Sequence, residues 1–505
     1  MGDTATETEI KYEGGAGVAL PAFSQLPQVA RAEEAEQEQL DAEYFDTDDL
    51  RLIRAGITLR RRVGGHDAGW HLKLPAGRDA RREIRMPLGR SKQHVPAALV
   101  KLVTVHTRGH ELRPVARIST TRSRQLLLDA KGAQLAEVAS DDVTAQAFGH
   151  AARVAQWHEV EVELTGGGRD VLDAADRLLR HAGIARAKQS SKLSRVLEVA
   201  ADAGPPQVRG AGSMAGDVIL AYLDAQITTL KSYDPLARGN EPDAVHQMRT
   251  TTRRLRSILQ TFSGFLRIAE ADYLVAELRW LGGELGEARD AEVLAGHLEE
   301  QLRELPAELV VGPVPARLRG HFAKLGADAQ DAVVRALDSS RYFALLDRLD
   351  VLAGRTEPSD LGRRPAADVL PAAVRKTDRR TRRRMKHALR QGSGQDREVA
   401  LHEARKAAKR ARYAGEAVAP ALGRQAGRYA KQMKKLQSVL GEHQDAVIAR
   451  QVTRELGMIA HLAGENAFTY GLLYDRDDQA TARLRERGVD TWRSARRRRY
   501  RRWLR

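Results

Sequence analysis

Along residues 1–199, apolar and polar positions alternate in short segments. Thr6–Tyr12, Ile57–Arg62, Gly69–Leu74, Arg81–Leu88, Val115–Leu128 and Trp157–Leu164 share this period of two, with polar or glycine-rich turns between them. Successive side chains of such a segment point to opposite faces, so the pattern predicts strands. A helical stretch, Asp170–Ala182, follows Gly166-Gly167-Gly168. Residues 200–216, with Gly204-Pro205-Pro206, read as a linker. From Asp217 onward apolar residues recur every three or four positions, which predicts helices throughout.

The helical part echoes itself. Ala244-Val245-His246-Gln247-Met248-Arg249 returns as Ala400-Leu401-His402-Glu403-Ala404-Arg405, 156 residues later. Leu285-Gly286-Glu287-Ala288-Arg289-Asp290 returns as Leu440-Gly441-Glu442-His443-Gln444-Asp445, 155 residues later. Two echoes at nearly one offset predict a duplicated helical unit with a pseudo-twofold, building one surface from two equivalent halves.

A chain of 505 residues exceeds one domain. Zero cysteines exclude disulfides, thiolate metal sites and a Cys nucleophile, and with no apolar leader the expected location is cytoplasmic. No run of about 18 apolar residues is present, so no membrane span is expected. The net charge of +16 is unevenly placed: residues 1–199 hold 29 Lys+Arg against 28 Asp+Glu, and residues 200–505 hold 54 against 39. A field of that size attracts polyanions, whether nucleic acid, an acidic membrane surface or phosphate polymers. Aromatics at 5%, with no basic–aromatic platform for stacking bases, argue against nucleic acid as the specific partner.

Several strands carry charge of both signs on one face. Glu7, Glu9 and Lys11 share a face, as do Glu159, Glu161 and Glu163; Arg60 pairs with Arg62, His71 with Lys73, and Glu83 with Arg85. Any one strand fits a sandwich with a solvated outer face. As a set they fit apolar faces packed outward against helices and charged faces lining a wet interior. There carboxylates can hold a divalent cation, and basic groups can hold phosphate oxygens.

In the helical part, His246, Arg249, Arg253 and Arg256 lie at offsets 0, 3, 7 and 10, and His402, Arg405, Lys409 and Arg412 repeat those offsets. At 3.6 residues per turn each set forms one stripe. Arg375 to Arg390 holds nine Lys and Arg, Arg382, Arg383 and Lys386 among them, with Asp378 as its one acid; Lys431, Lys434 and Lys435 extend the excess. The expected product is a groove that binds phosphate oxygens through guanidinium and ammonium groups. The two histidines, heading basic stripes with no carboxylate at ligand spacing, are expected as phosphate contacts strengthened by partial protonation near pH 7, with no metal in this half. The tail, Arg493 to Arg505, holds eight arginines with Tyr500 and Trp503. It reads equally as a polyanion clamp or as a disordered solubilising end.

These residues carry two family resemblances. Glu7-x-Glu9-x-Lys11 resembles the first motif of the CYTH, or triphosphate tunnel metalloenzyme, superfamily. Tyr44-Phe45-Asp46-Thr47, Leu59-Arg60-Arg61-Arg62, Gly69-Trp70-His71-Leu72-Lys73-Leu74-Pro75, Glu83-Ile84-Arg85, Glu159-Val160-Glu161-Val162-Glu163-Leu164 and Ser191-Lys192 follow its pattern in order over residues 5–198. The resemblance implies an eight-stranded antiparallel tunnel that hydrolyses triphosphates with Mg²⁺ or Mn²⁺. It makes Glu7, Glu9, Glu159 and Glu161 the metal-side, catalytic carboxylates. Lys11, Arg60, Arg62, Lys73, Arg85, Arg122 and Lys192 become the substrate ligands. Arg117 joins them on the condition that a bulge brings it onto the face of Arg122. Some triphosphatases of the superfamily use a tyrosine after the first motif. Between Lys11 and Tyr44 this chain has Tyr12, on the opposite strand face, so water activation is expected to rest on carboxylates and metal.

Val245-His246-Gln247-Met248-Arg249, Arg253-Arg254-Leu255-Arg256 and Leu285-Gly286 with Arg289-Asp290 resemble the CHAD family, the conserved-histidine α-helical domain. His402-Glu403-Ala404-Arg405-Lys406, Lys409-Arg410, Arg412-Tyr413 and Leu440-Gly441 with Asp445 supply a second copy. The resemblance implies two four-helix bundles that bind inorganic polyphosphate, often at polyphosphate granules. The expected organisation is an α+β antiparallel tunnel over residues 5–198, a linker over 199–213, an all-α duplicated unit over 214–488 and a tail over 489–505. The expected function is metal-dependent hydrolysis of inorganic triphosphate or short polyphosphate by a chain tethered to polyphosphate. A non-enzymatic polyphosphate-binding protein with a degenerate tunnel is the alternative, and a nucleotide cyclase is left open. Chain-length preference, choice of metal and oligomeric state are not legible.

Overall fold

A computed structural model describes residues 3–14, 20–75, 80–89, 94–148, 153–189, 191–199, 208, 210–392 and 394–504. The chain divides into two compact units, Met1–Ala203 and Gly204–Arg505. The predicted linker lies mostly outside the described residues, including Gly204-Pro205-Pro206, as does Arg505.

Ten strands build the first unit: β1 (Asp3–Gly14), β2 (Arg31–Ala32), β3 (Glu36–Asp46), β4 (Thr58–Val63), β5 (Gly69–Pro75), β6 (Ala80–Met86), β7 (Arg113–Leu128), β8 (Gln134–Ala147), β9 (Arg153–Leu164) and β10 (Ala185–Arg186). The eight long ones run in the order β1-β6-β5-β4-β3-β7-β8-β9, all neighbours antiparallel, and β9 pairs back onto β1. Closure leaves the long strands no free edge, and alternate residues face a common interior. β1 makes the seam. Asp3–Thr8 pairs with β6 and Glu9–Gly14 pairs with β9, so Glu7 lies opposite Arg81 and Lys11 opposite Glu161.

Apolar side chains point outward under helices, as the alternation predicts. Ile10, Tyr12, Val160 and Val162 pack against Val171, Ala175 and Leu179 of α3 (Arg169–His181). Phe45, Leu59, Trp70, Leu72 and Ile84 pack against Leu52 of α1 (Arg51–Arg54) and Leu99 and Val103 of α2 (Ala97–Thr107). Leu193 and Val196 of α4 (Lys192–Leu197) meet Ala42, Tyr44, Ile118, Val143 and Ala145, filling one end of the barrel with apolar side chains.

β3 beyond its Tyr44-Phe45-Asp46 end, β8, α1 and α2 escape the sequence pattern. β3 begins Glu-Gln-Glu-Gln, with polar residues on both faces, and β8 is rich in alanine, so neither shows a clean period of two. α2 carries three valines and two threonines and looks like a strand by composition.

The second unit has nine α-helices among its described residues: α5 (Ala215–Arg238), α6 (Ala244–Phe262), α7 (Ala271–Arg303), α8 (Val314–Leu337), α9 (Ser340–Arg355), α10 (Ala366–Arg390), α11 (Gln395–Leu422), α12 (Arg424–Leu462) and α13 (Phe468–Ala495). α5 to α8 pack in succession with α8 returning to α5, and α10 to α13 also pack in succession. α9 is additional to a plain duplication: the Ser339 hydroxyl accepts a bond from the Tyr342 N–H at 3.2 Å and starts a new helix two residues after α8 ends. The stripe-bearing helices, α6 and α11, pack against each other. No helix among the described residues is long and apolar enough to cross a membrane.

The C-terminal tail is folded. Two 3₁₀ turns, Arg498–Tyr500 and Arg502–Leu504, follow α13. Arg501 Nε donates to Asp378 at 3.1 Å, Trp503 meets the Tyr429 ring edge-on at 5.8 Å, and Leu504 is buried.

Asp46, fully buried, accepts bonds from the backbone N–H groups of Thr47, Leu52 and Ile53 at 2.7, 2.9 and 2.9 Å, and so fastens α1 to the end of β3. Asp46→Ala should cost about 3 kcal/mol, because it strands buried donors. Urea denaturation of the full chain should show the tunnel unit melting earlier and the helical unit unmoved.

Candidate functional site

Inside the barrel is a cavity of about 420 Å³ lined mainly by charged side chains of both signs. Glu161 on its wall belongs to a buried acidic cluster whose other members, Asp141 and Glu159, are not among the lining residues. Carboxylate oxygens of Asp141, Glu159 and Glu161, all buried, lie within 4.8 Å of one another. Lys192 Nζ stands among them, 2.8 Å from Asp141, 2.6 Å from Glu159 and 2.9 Å from Glu161. The Ser191-Lys192 pair explains this placement. Ser191 caps α4 by accepting from the Ser194 N–H, while the Ser194 hydroxyl accepts from the Ser191 N–H, both at 3.1 Å. The capping box fixes Lys192 at the first helical position, with its side chain in the barrel.

Arg122 closes the same cluster with bonds of 2.8 and 2.7 Å to Asp141 and 2.8 Å to Glu161. Lys11 pairs with Glu161 and, at 3.2 Å, with Glu9. Burial opposes charge on Glu161, but Lys11, Lys192 and Arg122 together hold its carboxyl well below the usual carboxylate range. Trp157 Nε1 donates to Glu159 at 2.7 Å. A second group gathers on β1, β5 and β6: Lys73 pairs with Glu7, Arg85 with Glu7 and Glu83, and His71 Nδ1 lies 2.9 Å from Glu83. Glu163 lines the cavity between the groups, and burial with the charges of Glu7, Glu9 and Glu161 pushes its pKa up to about 7, against the pull of Lys73.

The β4 wall is basic. Arg60 and Arg62 line the cavity, and each has a buried Nε with no hydrogen-bond partner. Burial, then Arg60 and Arg122, press the Arg62 pKa down to about 9. Desolvated guanidinium groups held beside one another are placed for an anion.

The four expected metal-side carboxylates therefore fall in three places. Glu159 and Glu161 share the buried cluster, Glu9 sits beside Lys11, and Glu7 belongs with Lys73 and Arg85. The third member of the cluster is Asp141, which sequence reasoning missed because β8 was not recognised; its signal is the pairing of Asp141 opposite Arg122. Lys11, Arg60, Arg62, Lys73, Arg85, Arg122 and Lys192 all face the cavity. Arg117 does not. The β7 bulge falls at Val115, where Tyr44 pairs with Ala116 and Phe45 with Pro114, so it cannot correct the odd spacing from Arg117 to Arg122. Arg117 lies on the outer face, 59% exposed, paired with Asp41. Tyr12 is outside, bonded to Asp176 at 3.2 Å, but Tyr44 lines the cavity and its hydroxyl accepts from Arg60 at 3.2 Å. Burial would raise the Tyr44 pKa; Arg60, with Lys192 and Lys73, brings it below the ordinary value. The tunnel thus has a tyrosine after all.

In the helical unit, each repeat of the glycine–aspartate motif holds an arginine. Gly286 of α7 lies under Arg249, where a Cβ would stand 3.4 Å from the guanidinium, and Asp290 binds Arg249 at 2.7 Å. Gly441 of α12 lies likewise under Arg405, at 3.2 Å, with Asp445 at 3.9 Å. Between α6, α10 and α11 is a cavity of about 300 Å³ lined by Arg253, Arg256, Arg380, Arg405, Lys409 and Arg410. Its one carboxylate, Glu403, is paired with Lys406 at 2.9 Å. Burial, then Arg253, Arg405 and Arg249, drive the Lys409 pKa down to about 6, and burial with Arg249 and Arg405 brings Arg253 to about 10.

His402 lines this cavity with Nδ1 2.9 Å from Gln444, and His246 is half-buried near Arg289. Burial, then neighbouring cations, lower both histidine pKa values, so the free protein holds them neutral near pH 7, not partly protonated as expected. Arg412 is tied to Glu416 and Gln437, at 2.6 and 2.9 Å, and is not among the cavity-lining residues. Lys431 and Lys434 are exposed on α12, and Arg382, Arg383 and Lys386 line a different cavity. Arg380 and Arg410 escaped the sequence reading, because each belongs to no stripe until α6, α10 and α11 are brought together.

A closed β-tunnel with opposed acidic and basic walls, on the same chain as a duplicated basic helical unit, defines the class. Residues 5–197 match the CYTH domain family and residues 221–454 the CHAD domain family. Uncharacterized proteins of Mycobacterium tuberculosis strains CDC 1551 / Oshkosh and H37Rv are each 40% identical over 493 residues, covering 95% of this chain and 94% of theirs. The chain belongs to this family of proteins with a CYTH domain followed by a CHAD domain. Among solved structures it is similar to PptA from Streptomyces chartreusis (23% identity, 56% of this chain, 100% of that one, TM-score 0.47). It is also similar to the CHAD domain from the plant Ricinus communis (25% identity, 57% of this chain, 94% of that one, TM-score 0.44).

A lysine with a pKa of about 6 is mostly neutral, and nucleophilic, at pH 7. Lys409 should therefore acylate with a small amine reagent faster than exposed Lys431, with half-maximal rate near pH 6, as read by peptide mass spectrometry. Equal labelling of the two would show that the cluster leaves Lys409 fully charged.

Proposed function

We propose that the tunnel hydrolyses inorganic triphosphate or short polyphosphate with a divalent metal, and that the helical unit binds inorganic polyphosphate. The observation that carries the first half is a charged cavity that meets a buried three-carboxylate cluster at Glu161 and has a wall of arginines with unpartnered Nε atoms. Asp141, Glu159 and Glu161 fit a hard cation: they offer oxygen ligands, they are buried, and the ammonium of Lys192 already stands where a cation is wanted. They would hold Mg²⁺ or Mn²⁺, with Glu9 and Glu7 further along the same wall. When bound, the metal supplies Lewis acidity and neutralises charge on the phosphoryl group.

The chain's own residues do the rest. Arg60, Arg62, Lys73 and Arg85 orient the phosphates and Lys11 and Arg122 draw charge toward the acidic cluster, so much of the rate gain is positioning and electrostatics. Lys192 lines the cavity as well as pairing with the three carboxylates, and would pair with a phosphate if a metal took those carboxylates. The excess cations around Lys409 support the polyphosphate reading of the helical unit. A cytoplasmic protein at polyphosphate granules follows from both halves.

The test is phosphate release from tripolyphosphate, ATP and long-chain polyphosphate, each with Mg²⁺ and with Mn²⁺. Asp141→Asn, Glu161→Gln and Glu9→Gln should each lower metal-dependent release from tripolyphosphate about 100-fold or more, while leaving folding intact. Near wild-type turnover in Asp141→Asn would overturn the tunnel assignment. A folded wild-type chain that binds polyphosphate and releases nothing would establish the non-enzymatic alternative.

A further inference from the structure

The basic residues of α10 do not all serve the cavity between α6 and α11. Arg380 lines that cavity, and Arg384 reaches toward Glu403 at 3.8 Å. Lys376, Arg379, Arg382, Arg383, Lys386 and Arg390 line a second, larger hollow of about 840 Å³. Its other wall is Trp492 and Arg496 at the end of α13 and Arg501 of the folded tail. At 1.5 Å per residue, the α10 stripe runs about 21 Å along the helix.

The hollow is fixed by burial. Asp378, 4% exposed, holds Arg501 and Tyr429, and Leu504 and Trp503 anchor the turns beyond. Asp378, the one acid between Arg375 and Arg390, is thereby spent largely on the tail. Among the described residues, Lys376, Arg379, Arg383, Lys386 and Arg390 make no side-chain hydrogen bond or ion pair, whereas Arg412 and Arg450 elsewhere in the unit are tied to glutamates. Like charges three and four apart on one helix repel each other, and against this row α10 sets only Asp378, one turn before Arg382. Leu389 and Trp492 give the hollow an apolar floor, which strengthens the field above it.

We propose that this hollow is a second polyanion site, distinct from the cavity around Lys409, and that its occupant is a stretch of inorganic polyphosphate; this rests on the polyphosphate reading above. The row of cations suits a chain that is charge along its whole length. Bases would find little to stack on, since Trp492 is 5% exposed and Trp503 is engaged by Tyr429. The two sites share α10 but take different residues of it, Arg380 in one and the row from Lys376 to Arg390 in the other. A long polyphosphate can engage both, and the second contact is then intramolecular. A short one occupies one site at a time.

The test uses the full chain with two probes, polyphosphate of about 100 units and of about 10 units, in titrations at about 150 mM salt. Arg382→Ala/Arg383→Ala/Lys386→Ala removes the middle of the row; Arg253→Ala/Lys409→Ala empties the other cavity; circular dichroism checks both folds. The triple variant should lose about tenfold or more in affinity for the long chain, with a shallower salt dependence. Its binding of the short chain should stay within about threefold of wild type, because the cavity around Lys409 is intact. Arg501→Ala, which frees the tail, should move long-chain affinity in the same direction. Unchanged long-chain affinity in a folded triple variant would overturn the second site while leaving the polyphosphate reading intact. An equal loss for both lengths would also overturn it, by showing a single continuous groove. Tighter binding of single-stranded DNA than of polyphosphate at this row would overturn the occupant. A wild-type chain that binds neither polyphosphate would instead remove the reading on which this one rests.

Discussion

One ammonium group holds the centre of the tunnel together. Lys192 lies within 2.9 Å of three buried carboxylates, and without a cation there Asp141, Glu159 and Glu161 would be an uncompensated cluster of negative charge in a water-poor interior. Everything around it serves that contact. The Ser191–Ser194 capping box fixes where α4 begins, Leu193 and Val196 seat the helix in the end of the barrel, and Arg122 and Lys11 share the Asp141 and Glu161 carboxylates with Lys192. A cluster neutralised by its own lysine can fold without a metal.

The helical unit poses the opposite problem. Its cavity around Lys409 collects cations and has almost no acid, so part of the fold is spent on managing repulsion. Gly286 and Gly441 let Arg249 and Arg405 lie flat on the neighbouring helices, where Asp290 and Asp445 take up their charge. The motif that looked like a family signature is thus a device for parking two guanidinium groups beside Arg253 and Lys409.

What the sequence revealed follows from how far each signal reaches along the chain. Period two on β1, β4, β5 and β9 was legible because a closed barrel must put one face in and one out. The apolar outer faces of Ile10, Tyr12, Val160 and Val162 made the charged inner faces conspicuous. Asp141 was not legible, because its strand is alanine-rich and its role depends on Arg122 one strand away. Arg117 was doubtful from its spacing alone, and the position of the bulge at Val115 decides its face. Tyr44 stands in a motif that carries the resemblance, but its inward face shows only once β3 is paired with β4, which sets it opposite Arg60. The stripes on α6 and α11 were visible at once, but that Arg412 would be tied to Glu416, and that α10 would divide its charges between two hollows, needed the packing of three helices.

The duplication is also not quite symmetrical, and the difference falls at a telling place. Arg253 and Lys409 are equivalent by position, each the third member of its stripe, and they face the same crowd of cations. A guanidinium keeps its proton at any pH the protein meets, whereas a lysine can give its proton up. Two arginines there would have to hold every charge in a half-buried cluster with no anion present. With Lys409 pressed to about 6, the free protein sheds one of those charges near neutrality and regains it when an anion arrives. If the cavity binds polyphosphate as proposed, binding takes up a proton, so affinity rises as the pH falls, and the repulsion is largely confined to the state in which a ligand cancels it.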